Sequence, residues 1–143
     1  MDKIENIARL RGLCVRYELS GSEILGEYTD EQLAELYNGI GPDWFPARLR
    51  DAIDNLCASL QPMALIHDVR WCRSDGTRRS FYGTNEELRE NGYAIAENLY
   101  KWWDIRRYWL KHQAKVFGDL CDSFGWGAYK VAYERHVNKE VFL

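Results

Sequence analysis

Only three histidines and three prolines occur among the 143 residues, and the four cysteines, at 14, 57, 72 and 121, include no CxxC pair. No cysteine–histidine cluster has the spacing of a structural zinc site. The thiols therefore read as reduced, buried small apolar groups of a cytoplasmic protein. Basic excess is also lacking. Lys and Arg total 19 against 22 Asp and Glu, a net charge of -3. A chain of this balance cannot neutralise many phosphates, so no nucleic acid is expected as a partner. No apolar run approaches the roughly 20 residues of a membrane span. The first residues, MDKIENIARLRGLCVRYEL, scatter charges where a signal peptide needs a continuous apolar stretch. Catalytic fingerprints are missing as well. There is no nucleophile elbow G-x-S-x-G, no phosphate-binding P-loop and no dinucleotide motif. An HD-type phosphohydrolase needs a histidine upstream of its HD pair, and none precedes His67.

What is present is aromatic and helical. Six Trp and nine Tyr indicate a packed core, and the length suits one domain over residues 1–143. Scarce proline permits long helices. Apolar residues at Ile4, Ile7, Ala8 and Leu10 predict a first helix, weakened later by Gly12. SGSEILGEY reads as a loop. Thr29, with acids behind it and Gln32 three residues on, marks a capped helix that Asn38-Gly39 ends. NGIGPDWFP is a shaped loop. ARLRDAIDNLCASL is an amphipathic helix with Leu49, Ala52, Ile53 and Leu56 on one face. Pro62 suits the first turn of a helix from about Met63 to Cys72. RSDGTRRSFYG predicts a turn at Asp75-Gly76 and a small hairpin ending at Phe81-Tyr82. Thr84, with Glu87 as capping-box partner, predicts the start of a long helix reaching Phe124, bent or broken at Gly92. GWG is a turn, and AYKVAYERHV one more short helix. The fold class is mainly α.

Within the apolar run MALIHDVRW stand two adjacent ionisable residues, His67 and Asp68. Such groups are rarely packed inside a helix without partners. Neighbours on a helix differ by about 100° in direction, so the two serve different surroundings. The imidazole can act on a proton, and the carboxylate can hold a hard cation. The glycine loop upstream can turn carbonyl oxygens toward such a cation, as calcium prefers.

Taken together, YNGIGP (Tyr37 to Pro42), HDVRW (His67 to Trp71) and TNEELRENG (Thr84 to Gly92) resemble the phospholipase A2 superfamily in its short bacterial and phage-borne forms. The resemblance covers roughly residues 37–96. It implies a small helical domain in which two antiparallel central helices carry the His-Asp pair and its partner. It implies His67 as general base, Asp68 as the calcium carboxylate, and carbonyls near Asn38, Gly39 and Gly41 as further ligands of Ca2+. A loop amide near Gly39 would support the oxyanion, and Asn85 stands where the family places the aspartate that orients the histidine. The implied reaction is calcium-dependent hydrolysis of a glycerophospholipid ester at a membrane surface. Departures accompany it. Asn85 is neutral, leaving Glu86 or Glu87 as substitutes, and Trp71 replaces a tyrosine. The disulfides of secreted members are missing, and His67 follows Gly41 by 26 positions, room for an inserted helix. These departures keep a second expectation open, a catalytically impaired relative serving as a binding or phage-associated structural module.

The segment LYKWWDIRRYWLKHQAKVFGDL has two readings. Trp102, Ile105, Trp109 and Val116 are expected to form a core stripe; the alternative is a lipid-facing surface edged by basic residues. His112 and His136 read as surface residues.

Overall fold

Thr29 accepts a hydrogen bond from the backbone N–H of Gln32 at 3.1 Å, and the Gln32 amide oxygen accepts one from Thr29 at 2.9 Å. This reciprocal box satisfies two donors that a helix start would leave orphaned. It opens helix α2 (Asp30–Leu36). Asp2 and Glu5 build the same device at the start of α1 (Lys3–Arg16). The structure, a computed structural model, describes residues 2–37 and 58–139, with side chains of the last helix described as far as Glu134. The expected chain turn at Asn38-Gly39, the loop through Pro46, the helix around Leu49 to Leu56, and Cys57 lie outside the described residues.

The remaining elements are α3 (Gln61–Cys72), α4 (Arg78–Leu99), α5 (Ile105–Phe124) and α6 (Trp126–Lys139), with short 3-10 turns at Ser22–Glu27 and Ala58–Leu60. The protein is mainly helical, and no strand occurs among the described residues. No helix among them is long and apolar enough to cross a membrane.

Helix α3 sits in the middle. Nine of its twelve residues are buried, from Pro62 through Cys72. Helix α1 covers one side, where the Cys14 thiol donates to the Pro62 carbonyl at 3.3 Å. Helix α4 covers another, with Met63 beside Gly92 and Trp71 beside Thr84 and Phe81. Rings of Trp71, Phe81, Trp126 and Tyr129 join α3, α4 and α6, with centroids between 5.2 and 6.0 Å apart.

Several local expectations are corrected. The segment 78–82 is not a hairpin; it is the first turn and a half of α4. The Asp75-Gly76 turn is there, with Gly76 at φ 79°, where a Cβ would meet the Tyr133 ring at 2.8 Å. Thr77, not Thr84, caps the helix, its hydroxyl accepting from Ser80 N–H at 3.1 Å. Thr84 lies about two turns inside and accepts from the Trp71 indole. The long helix is not broken at Gly92, which lies inside α4. It stops at Leu99, and α5 restarts after the turn at Trp102-Trp103 with Asp104 as its cap. SGSEILGEY winds into a 3-10 turn rather than an open loop.

The aromatic core stripe is also overturned. Trp102, Trp103, Ile105, Trp109 and Val116 are exposed. The buried stripe of α5 is Leu110, Gln113, Ala114, Phe117, Gly118 and Cys121. Ala114 and Gly118 of this stripe are small where α5 approaches Gly92 and Arg89 of α4 closely. A Cβ on Gly92 would sit 2.9 Å from the Met63 sulfur and nearer still to the Ala114 Cβ. A side chain at Gly92 or Gly118 would not fit there.

Candidate functional site

His67 lies on the buried face of α3, 7 % exposed. Its Nε2 is 2.8 Å from Asn85 Oδ1 on α4, and its ring lies 4.5 Å from that of Trp71, one turn on. Asn85 is fully buried and donates through Nδ2 to Asp122 Oδ1 of α5 at 2.9 Å. Asp122 is held in turn by the Arg89 guanidinium, which also pairs with Asp119 at 3.0 Å and Glu86 at 2.9 Å. Three helices thus contribute to one chain of contacts, His67–Asn85–Asp122–Arg89.

The chain fixes the proton on the imidazole. A carboxylate only accepts, so the Asn85 atom facing Asp122 is the NH2 group, and the atom facing His67 is the carbonyl oxygen. That oxygen requires a donor, so Nε2 carries the hydrogen. The basic lone pair then belongs to Nδ1. Burial lowers the His67 pKa to about 4, opposed by the Asn85 hydrogen bond and the Asp122 charge. At neutral pH the ring is uncharged, and burial makes it a weak base.

Asp122 and Arg89 were missed in the sequence. Asp122 lies 37 residues beyond Asn85, with no motif to join them. A signal did exist: Phe81, Asn85, Leu88, Gly92, Ile95 and Ala96 repeat at helical spacing, so a polar residue at 85 had to find a buried partner. Neither proposed substitute for the missing aspartate faces His67. Glu86 pairs with Arg89, and Glu87 holds Arg70 through two contacts at 3.0 and 3.2 Å. Trp71 stands in for the expected tyrosine differently, donating its indole N–H to Thr84 Oγ1 at 3.0 Å.

Asp68, half-buried on the next face of α3, is close enough to Cys121 for its charge to raise that thiol. His67 and Asp68 do serve different surroundings, as their angular separation demands. Burial drives both Cys14 and Cys121 up to about 12, so neither is a thiolate at neutral pH. Of the residues the resemblance assigns to calcium, Asn38, Gly39 and Gly41 lie outside the described residues, leaving Asp68 alone. Among the described residues no three His, Cys, Asp or Glu side chains converge as a metal site. His112 is exposed, as expected.

No family model matches the chain, and neither a curated protein nor a solved structure does.

Proposed function

We propose that this chain is a calcium-dependent hydrolase of glycerophospholipid esters, similar to phospholipase A2, with His67 as its base. One observation carries the reading: a neutral imidazole whose Nε2–H is committed to Asn85, leaving Nδ1 basic. Asn85 is the residue that the resemblance puts in the orienting position. The reversed order of contacts between α3 and α4, Met63 to Gly92 and Trp71 to Thr84, supports the antiparallel pair that the family would require.

In this reading Nδ1 removes a proton from water, and the water oxygen attacks the ester carbonyl carbon. The proton passes to the departing alkoxide, giving a fatty acid and a lysophospholipid. Asn85 orients the ring through the step. Asp122, one link beyond, supplies the negative charge that Asn85 lacks, and so favours the transient imidazolium. Asp68 would be the carboxylate that holds calcium, with carbonyls near Asn38, Gly39 and Gly41 as the further ligands that the resemblance implies, and the ion would supply positive charge for the ester carbonyl and phosphate. A loop amide near Gly39 would support the oxyanion, as the resemblance implies.

The test is fatty-acid release from glycerophospholipid vesicles by the pure protein. Release stimulated by calcium and lowered by about 10²-fold or more in His67→Ala supports the proposal. No release from any of several lipids by folded protein ends it. A second reading, an impaired relative acting as a binding or structural module, draws on the neutral partner Asn85 and on a base as weak as His67. It expects calcium to raise the melting temperature without acyl release.

A further inference from the structure

The corner between α4 and α5 presents its largest apolar side chains outward. Trp102 is 72 % exposed, Trp103 64 % and Ile105 80 %, and Tyr108 and Trp109 continue the surface along α5. Contiguous exposed aromatics on a small domain mark an interaction site rather than incidental exposure. The corner is also ordered. Asp104 N–H donates to the Lys101 carbonyl at 2.9 Å, and Asp104 accepts from Arg106 N–H at 3.0 Å. The Tyr108 hydroxyl donates to the Trp102 carbonyl, and the Arg106 guanidinium lies over the Tyr100 ring at 4.7 Å. These contacts fix the backbone from which Trp102 and Trp103 project, so less freedom is lost when the corner is covered.

Charge identifies the occupant. Between Leu99 and Val116 stand five basic residues, Lys101, Arg106, Arg107, Lys111 and Lys115, and one acid, Asp104. The chain as a whole carries -3. Asp104 pairs with Arg106 at 2.6 Å, Glu97 with Arg107 at 3.7 Å and Lys111 at 2.9 Å, and Asp119 with Lys115 at 2.7 Å, so five cations along this segment meet three anions and a positive excess stays beside the aromatic corner. A second copy docking through the same face would set two positive surfaces against each other. An anionic lipid surface is complementary in both respects: Trp and Tyr favour the headgroup level, and Lys and Arg meet the lipid charge.

We infer that the Trp102–Trp109 corner is a docking surface for anionic lipid bilayers. The inference rests on the proposed lipid substrate for its purpose, but its test reads binding without hydrolysis. The full chain in EDTA is mixed with vesicles of ether-linked phosphatidylcholine, alone or with an equal part of ether-linked phosphatidylglycerol. Binding is read by co-sedimentation and by the blue shift of tryptophan emission. The expected result is binding to the mixed vesicles, weakened by salt and weaker on phosphatidylcholine alone. Trp102→Ala/Trp103→Ala should reduce it roughly tenfold or more, and Lys101→Glu should reduce it less. No binding, or equal binding by the double variant, overturns the inference. So does a dimer in sedimentation velocity that the double variant dissociates while vesicles go unbound, which would assign the face to a second copy. Vesicle binding without acyl release from ester lipids keeps this inference and removes the hydrolase; hydrolysis of a soluble short-chain ester without vesicle binding does the reverse.

Discussion

At Asn85 the exchange of one NH2 for one oxygen decides whether the buried network holds. Asn85→Asp replaces the donor facing Asp122 by a second acceptor 2.9 Å away. Two unit charges at that distance repel by about 6 kcal/mol at an effective dielectric near 20, relieved by proton uptake and by Arg89. The expected net loss is about 2–4 kcal/mol in urea denaturation. Adding Asp122→Asn restores the donor–acceptor order from the other side, so the double variant should return to within about 1 kcal/mol of the native chain. Two additive losses would dissolve the network. His67 and Asn85 were legible as a pair because the family resemblance aligned them. Asp122 was not, since its distance in sequence from Asn85 leaves no local pattern and only the three-helix packing unites them.

Helix boundaries show the same limit one level up. Thr29 with Gln32 was readable because cap and partner are three residues apart and an apolar face follows. Thr84 with Glu87 has the same spacing, yet Thr77 won because Asp75 and Gly76 turn the chain just before it and Phe81 is needed inside. The α5 stripe was misread because hydrophobicity favours tryptophan, whereas the α4–α5 seam selects by size. That seam gives a contrast between two glycines of α4. Gly92→Ala drives a methyl into Ala114 and Met63 and is expected to cost about 2–3 kcal/mol. Gly83→Ala meets nothing within 4 Å and should stabilise by about 0.5–1 kcal/mol. Thermal or urea unfolding of both variants checks this; equal changes would mean that the seam tolerates a methyl group.

For the molecule as a whole, a buried neutral histidine couples folding to acid. The unfolded chain protonates His67 near 6.5, and the folded one only near 4. Above 6.5 the ring is neutral in both states, so this contribution is fully present. Between 6.5 and 4 the unfolded state binds more protons, and stability falls as pH is lowered. The interval amounts to about 3 kcal/mol as an upper figure. Calcium-free protein should lose that stability between pH 6.5 and 4, and His67→Asn should lose less over the same range. Composition made the helical class legible at this scale; the α4–α5 seam was not, because it depends on which helices meet. The most direct test of the account is the nitrogen-15 spectrum of the His67 ring in calcium-free protein. The expected spectrum shows a protonated Nε2 and a bare Nδ1 at pH 7, unchanged until the pH nears 4. A proton on Nδ1 at pH 7, or an imidazolium already at pH 6, would contradict it.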